Sequence, residues 1–101
     1  MSITQITQKN DLMRKTFIGC KVLLTQGISA LEDKRKSKVI EAVQNFNDFN
    51  ENNDPHKEHD FGKIVVDGEE YLWKFDYYDD EYKYFKEDGN RVLIIMRADE
   101  Y

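Results

Sequence analysis

Apolar positions recur along this chain in distinct rhythms, and each rhythm predicts an element. Between residues 4 and 17, Ile6, Leu12, Met13 and Phe17 recur at loosely helical steps until Gly19 interrupts them, which predicts a short amphipathic helix. Gly19-Cys20-Lys21-Val22-Leu23-Leu24-Thr25-Gln26-Gly27 is an apolar run of strand length with a glycine at each end, the pattern of a buried strand. Further on, Val39, Ala42, Val43, Phe46 and Phe49 stand three and four residues apart on one stripe. Ser29-Ala30-Leu31-Glu32 ahead of them has capping-box spacing, so a long amphipathic helix is expected from here. It must stop before Pro55, because proline drives Asp54 out of helical geometry and Asn50-Glu51-Asn52-Asn53-Asp54 is turn-forming.

The rhythm then shortens to two. Residues 61–66 and 71–77 are rich in aromatic and β-branched side chains and flank Asp67-Gly68-Glu69-Glu70, whose Asp-Gly pair favours a tight hairpin turn. Tyr71, Trp73, Phe75 and Tyr77 alternate with Leu72, Lys74, Asp76 and Tyr78, so one aromatic face is expected to be buried. A polar turn around residues 86–90 leads into Arg91-Val92-Leu93-Ile94-Ile95-Met96, apolar on both faces and so a central strand. Helix, strand, helix and three strands predict an α+β fold: an antiparallel sheet of about four strands with one or two helices packed on one face.

Length and composition sharpen this reading. At 101 residues the chain fits a single domain, 1–101, since two cores of half that size would each bury too little surface. Apolar residues make up 40% and charged residues 35%, so the core must lean on six Phe, six Tyr and one Trp. No apolar run approaches the roughly 20 residues that span a bilayer, and the start lacks the pattern of a secretion signal. A cytoplasmic protein is expected, without membrane contact. Cys20 is the single cysteine and lies in an apolar stretch, the setting of an inert core thiol.

The net charge of −5 is unevenly spread. Residues 67–88 hold nine Asp or Glu and three Lys, a local balance of 3 − 9 = −6, whereas residues 32–38 hold four basic and two acidic side chains, 4 − 2 = +2. An acidic surface repels phosphate backbones and attracts basic surfaces. Direct nucleic-acid binding is therefore disfavoured, and a protein partner with a basic surface is expected at Asp67, Glu69, Glu70, Asp79, Asp80 and Glu81.

Asn53-Asp54-Pro55-His56-Lys57-Glu58-His59-Asp60-Phe61-Gly62 gathers two histidines and three carboxylates. As chemistry, His59 is the candidate general base, with Glu58, Asp60 and Asp76 to orient it or share the proton. As a metal site, His59, Asp60 and Asp76 are the candidate ligands, with Glu58 and Asp79 in reserve, since Cys20 offers no second half of a zinc site. As structure, Asp54 and Asp60 tie turns through backbone hydrogen bonds while His59 meets a buried partner near the sheet edge. On extended chain Glu58 and Asp60 share a side and His59 points away. The hairpin is expected to bring Asp60 near Asp76, with His59 and Asp60 facing Asp76 and Asp79. No nucleophile elbow, phosphate-binding glycine loop or paired-cysteine motif occurs, so no cofactor is expected.

Several blocks resemble a bacterial family of unknown function, DUF3768. They are Asn53-Asp54-Pro55, Glu58-His59-Asp60-Phe61-Gly62, Trp73-Lys74-Phe75-Asp76-Tyr77-Tyr78-Asp79, Arg91-Val92-Leu93 and Glu100-Tyr101, with Val22-Leu23-Leu24-Thr25-Gln26-Gly27 upstream. The resemblance runs from about Asn10 to the last residue. His56, Lys57, Ile94 and Arg97 depart from the pattern, which weakens His56 as a ligand. The resemblance implies a bacterial, plasmid or phage setting and brings no activity with it. Two functions are then expected. The first is a small acidic, non-enzymatic binding protein, of the type that inhibits anti-phage, CRISPR or restriction machinery, docking on a basic surface of a nucleic-acid-handling protein. The alternative is a small hydrolase-like enzyme built around Glu58-His59-Asp60 and Asp76 or Asp79.

Overall fold

The computed structural model describes residues 2–86 and 89–101. The elements are α1 (Ile3–Thr16), β1 (Lys21–Leu24), α2 (Gln26–Ser29), α3 (Asp33–Gln44), β2 (Phe61–Val66), β3 (Glu69–Tyr78), β4 (Asn90–Arg97) and a 3-10 turn (Ala98–Glu100). The strands form one sheet in the order β1-β4-β3-β2. The pairs β2–β3 and β3–β4 are antiparallel, while β1 lies parallel to β4, so an α+β fold is present with a mixed sheet. The turn expected at 86–90 includes Glu87 and Asp88, which lie outside the described residues.

The hairpin β2–β3 is tighter than the sequence suggests. Asp67 and Gly68 alone form its turn, with φ of 51° and 82°, and Val66 pairs directly with Glu69. Both central residues are left-handed, which matches the twist of the flanking strands and favours Asp-Gly. Tyr71, Trp73, Phe75 and Tyr77 all point to one face and are buried. That face packs on Met13, Ile28, Val39, Val43 and Phe46, with Leu93 and Ile95 beside it on β4. Burying each large apolar side chain contributes about 1.5–3 kcal/mol, so this layer dominates the stability.

Three sequence expectations need correction. The helix ends at Gln44 and not near residue 49, yet Phe46 and Phe49 still reach the core, with Phe46 edge-on to Phe49 and Trp73 at 5.0 and 5.5 Å. An irregular chain has carried them to positions that helical spacing imitates. The capping box expected at residues 29–32 is not formed: Glu32 is the N-cap and makes no side-chain cap bond. A capping box stands instead at the chain start, where Ser2 Oγ accepts from Gln5 N at 3.2 Å and Gln5 Oε1 accepts from Ser2 N at 2.9 Å. The apolar run around Leu23 is an edge strand of four residues. Val22 and Leu24 pack against the core, but Leu23 is 48% exposed, because at an edge only alternate side chains have something to pack on.

Candidate functional site

Between Asn50 and Asp60 the chain crosses from the end of α3 to the start of β2 as a series of turns. Asp54, itself buried, ties them: its carbonyl accepts from Lys57 N at 3.1 Å and its Oδ1 from His59 N at 3.0 Å. Lys57 and His59 both adopt left-handed φ, 58° and 56°. The result divides the Glu58-His59-Asp60 block between two sides: His59 is turned away from its neighbours, though by a left-handed backbone and not by the alternation of an extended chain.

On one side is a polar joint. The His59 ring lies flat on Phe49, centroids 3.7 Å apart, with Nδ1 2.9 and 3.1 Å from the two Asp11 oxygens and Nε2 3.4 Å from Asp54 Oδ2. Asp11 also accepts from Arg14 Nη1 at 3.0 Å. Arg14 is 1% exposed and donates from Nε to Val43 O at 3.1 Å and from Nη2 to Phe46 O at 2.8 Å. It thus brings donors and positive charge to the carbonyls at the C-terminal end of α3, where a helix lacks both. Its guanidinium rests against Phe49 and Trp73 at 5.3 and 5.1 Å. The Thr7 hydroxyl also donates to the Lys57 carbonyl, adding a second tie between α1 and the loop. The expected meeting of His59 with Asp76 and Asp79 is therefore corrected: its partners are Asp11 and Asp54, because α1 packs beside the loop. Among the described residues no group of three or more His, Cys, Asp or Glu is arranged to hold a metal ion, so His59, Asp60 and Asp76 do not assemble as ligands.

On the other side is an acidic cleft of about 440 Å³, lined by Glu58, Asp60, Phe75, Asp76, Tyr77, Tyr78 and Phe85. The Tyr77 hydroxyl stands 3.0 Å from Glu58 Oε2 and 3.3 Å from Asp60 Oδ2, and accepts from Asn10 Nδ2 at 2.9 Å. Asn10 is fully buried and bridges onward, accepting from Arg91 Nε at 2.8 Å and donating to Glu58 O at 3.0 Å. The Arg91 guanidinium lies over the Tyr77 ring at 4.9 Å and donates to Gly89 O at 2.7 Å. Burial first, and the neighbouring Glu58 charge second, hold the Asp60 carboxyl above the ordinary aspartate range. Burial likewise pushes the Tyr77 phenol far up, so it stays a donor at neutral pH. Asp76 lines the same cleft, 3.3 Å from Lys74 Nζ, so the expected approach of Asp60 and Asp76 at the open end of the hairpin is present.

Residues 79–86 follow β3 and contribute Phe85 to the lining of the cleft. Tyr78 bridges to Phe85, Asp79 N donates to Tyr84 O at 2.8 Å, and Lys21 Nζ sits 3.7 Å above the Tyr82 ring, fastening this segment to β1. Phe85 and Tyr84 are nevertheless 75% and 73% exposed.

The six acidic residues expected to meet a partner fall into two groups. At the hairpin turn, Asp67 Oδ2 lies 3.1 Å from Arg35 Nε and 3.2 Å from Lys38 Nζ, and Glu69 Oε2 lies 3.5 Å from Arg35 and 4.0 Å from Arg97. Glu70 meets Lys63 at 2.9 Å. The hydrogen bond and charge of Lys38 hold the Asp67 carboxyl below its ordinary range. Beside the cleft, Asp79 Oδ1 accepts from Lys83 N at 3.0 Å, Glu81 stands 3.5 Å from Lys83 Nζ, and Asp80 is exposed. Asn10, Asp11, Arg14 and Phe85 were not among the expected site residues. A signal for Asn10 and Arg14 was available, since Ile6, Asn10, Met13 and Arg14 share one helical stripe, and polar residues on a core stripe call for buried partners. Cys20 is half-buried, and burial raises its thiol.

A family model described as a protein of unknown function, DUF3768, matches residues 24–100. No curated protein and no solved structure shows significant similarity to the chain. The match starts later than the sequence resemblance suggested, leaving α1 and most of β1 ahead of it while covering both sides of the loop and the whole β2–β4 meander. The chain thus belongs to the DUF3768 family, with Asn10, Asp11 and Arg14 brought to its loop and cleft by a helix outside the matched residues.

Proposed function

We propose that the protein is a binding module whose cleft face docks on a basic surface of another protein. The observation that carries the reading is the contrast between its two acidic regions. At the hairpin turn Asp67, Glu69 and Glu70 each face cations of the same chain. Around the cleft, Glu58 and Asp60 share the Tyr77 hydroxyl, while Asp76 and Glu81 meet Lys74 and Lys83 from two residues away in sequence and, among the described residues, no cation of a distant element. Asp80 is exposed, and the exposed rings of Tyr84 and Phe85 stand nearby. Carboxylates steer a basic partner, and aromatic rings supply the contact area that turns an encounter into a complex. Proteins that handle nucleic acids present such basic surfaces, and a docked acidic face would cover them, which is the inhibitory form of this reading. The enzyme reading draws less support, because the His59 nitrogens face Asp11 and Asp54 on the side of the loop away from the cleft.

Two triple variants of equal charge change test it against poly-lysine at low and high salt. Asp76→Asn, Asp80→Asn and Glu81→Gln together should abolish most binding, while Asp67→Asn, Glu69→Gln and Glu70→Gln together should leave it largely intact. Equal losses, or binding that does not weaken with salt, would overturn the proposal.

A further inference from the structure

The peptide bond between Asp54 and Pro55 stands at the centre of the polar joint, and the docking reading makes no use of it. Its nitrogen belongs to proline, so the amide is tertiary, and the residue ahead of it carries a carboxyl group. That carboxyl closes a five-membered ring with its own backbone carbonyl carbon, a reach set by covalent geometry alone. An Asp–Pro bond is for this reason unusually open to attack by its own side chain. What the fold decides is whether the attack is helped or hindered.

The loop helps it in several ways. The Asp54 carbonyl accepts from Lys57 N at 3.1 Å, so a fixed donor already points at the oxygen that gains negative charge when its carbon is attacked. The Asp54 side chain is buried, and His59 N holds its Oδ1 at 3.0 Å, so carboxylate and carbonyl both face the turn that follows. Oδ2 stands 3.4 Å from His59 Nε2, too far for a strong hydrogen bond, and keeps its lone pairs for attack. Just after the bond, Lys57 and His59 hold left-handed φ of 58° and 56°. Non-glycine residues persist in that region only where their surroundings impose it, and they gather at functional sites. Beside the bond lies a cavity of about 460 Å³, lined in part by Thr7, Phe49, Asp54, Pro55, Lys57 and His59, with room and polar partners for water.

We infer that the protein cleaves its own chain between Asp54 and Pro55. Asp54 Oδ2 attacks the Asp54 carbonyl carbon, and the new C–O bond closes a cyclic anhydride as the C–N bond breaks. The electron pair of the broken bond stays on the Pro55 nitrogen, which takes a proton from solvent and leaves as a secondary amine. Water from the cavity then opens the anhydride, restoring the side-chain carboxyl and giving Asp54 a terminal one. One water is consumed in all. The two pieces stay together, because β1 ahead of the break pairs with β4 beyond it, and Asn10 reaches the Tyr77 hydroxyl across it. The product is a two-chain form of the same fold, in which the loop no longer ties α3 to β2.

The freshly purified 101-residue chain, held at 37 °C and pH 6, is followed by denaturing electrophoresis and mass spectrometry. Fragments 1–54 and 55–101 should accumulate over days, their masses summing to that of the chain plus one water. The rate should be first order, independent of protein concentration and unmoved by protease inhibitors. It should exceed that of the same chain unfolded in urea by about tenfold or more. Asp54→Asn, whose side-chain oxygen can still accept from His59 N, and Pro55→Ala, which leaves Asp54 in place, should each slow cleavage at least about tenfold, with circular dichroism confirming the fold. Hydroxylamine added to the wild type should be captured as a hydroxamate at Asp54. Gel filtration without denaturant should show both fragments eluting as one species.

A chain still intact after the incubation, cleavage no faster folded than unfolded, or undiminished cleavage in either folded variant would overturn the inference. Cleavage that leaves no hydroxamate would overturn the anhydride route and with it the part given to Asp54 Oδ2. Fragments that separate on gel filtration would overturn the two-chain product. If Asp54→Asn does not fold, Pro55→Ala and the comparison with urea decide.

Discussion

The two ends of the β2–β3 ribbon are both rich in carboxylates, and the rest of the fold treats them in opposite ways. At the turn, α3 and β4 deliver Arg35, Lys38 and Arg97 to Asp67 and Glu69, and Lys63 reaches Glu70 across the strands. At the open end, α1 delivers Asn10 to a phenol wedged between Glu58 and Asp60, and an aromatic segment walls the space in front of them. Local charge along a sequence therefore says little about the surface it produces. What decides is which distant element packs beside it.

The comparison can be broken most severely at the joint that holds the open end in place. Arg14→Met should cost about 3–5 kcal/mol, because it strips the carbonyls after α3 of their donors and leaves Asp11 with less cationic support in a half-buried site. Urea unfolding measures it; a loss below about 1 kcal/mol would mean that Arg14 fills space and little more. Gly62→Ala comes next, at about 1–3 kcal/mol, since a Cβ there would overlap Trp73 Nε1 and approach the Phe46 ring to 2.8 Å. An unchanged melting temperature would show that these rings can shift aside. Tyr77→Phe should cost about 1–2 kcal/mol by removing the donor shared by Glu58 and Asp60.

Asp60→Asn should act in the opposite direction, and only at higher pH. A carboxyl raised in the folded state binds its proton more tightly there than in the unfolded chain. Stability is then greatest at low pH and declines as pH rises from the ordinary aspartate range through the raised value. The variant should consequently gain on the wild type at pH 7 and lose that gain near pH 3, in paired thermal unfolding curves. A gain that did not depend on pH would place its cause elsewhere. The smallest effect is expected at the turn, where Glu70→Gln breaks an exposed pair with Lys63 and should cost about 0.2–1 kcal/mol. A larger loss, or one insensitive to salt, would remove the difference between the two ends.

Much of the meander was legible before its coordinates. Asp67-Gly68 announced the hairpin, the alternation from Tyr71 to Tyr77 announced its buried face, and the doubly apolar run from Val92 to Met96 announced a central strand. These signals are local, so sequence carries them. The end of α3 was not legible, because Phe46 and Phe49 keep helical spacing after the backbone has left the helix. The edge position of β1 was hidden for a related reason: an apolar run reports that something packs on it but not on how many sides. For the site, His59 diverges from Glu58 and Asp60 through a left-handed backbone that nothing in its own sequence announces, and its partners Asp11 and Phe49 are set by packing between elements far apart in sequence. Hairpin register points from sequence to Asp76 and Asp79, whereas the packing of α1 beside the loop has no local signal.

The parallel pairing of β1 with β4 also bears on how the chain acquires its shape. Lys21 and Val92 are register partners at nearly opposite ends of the sequence, while β2, β3 and β4 are sequential neighbours joined in a simple meander. Closing so long a loop costs entropy that the meander does not have to meet. The three C-terminal strands are therefore expected to form the folding nucleus and β1 to add to it late, a sequence of events that strand-by-strand hydrogen-exchange labelling during refolding would time. On a ribosome the same register sets an order: β1 emerges ahead of α3, β2 and β3 and must wait for β4 before the sheet can be completed.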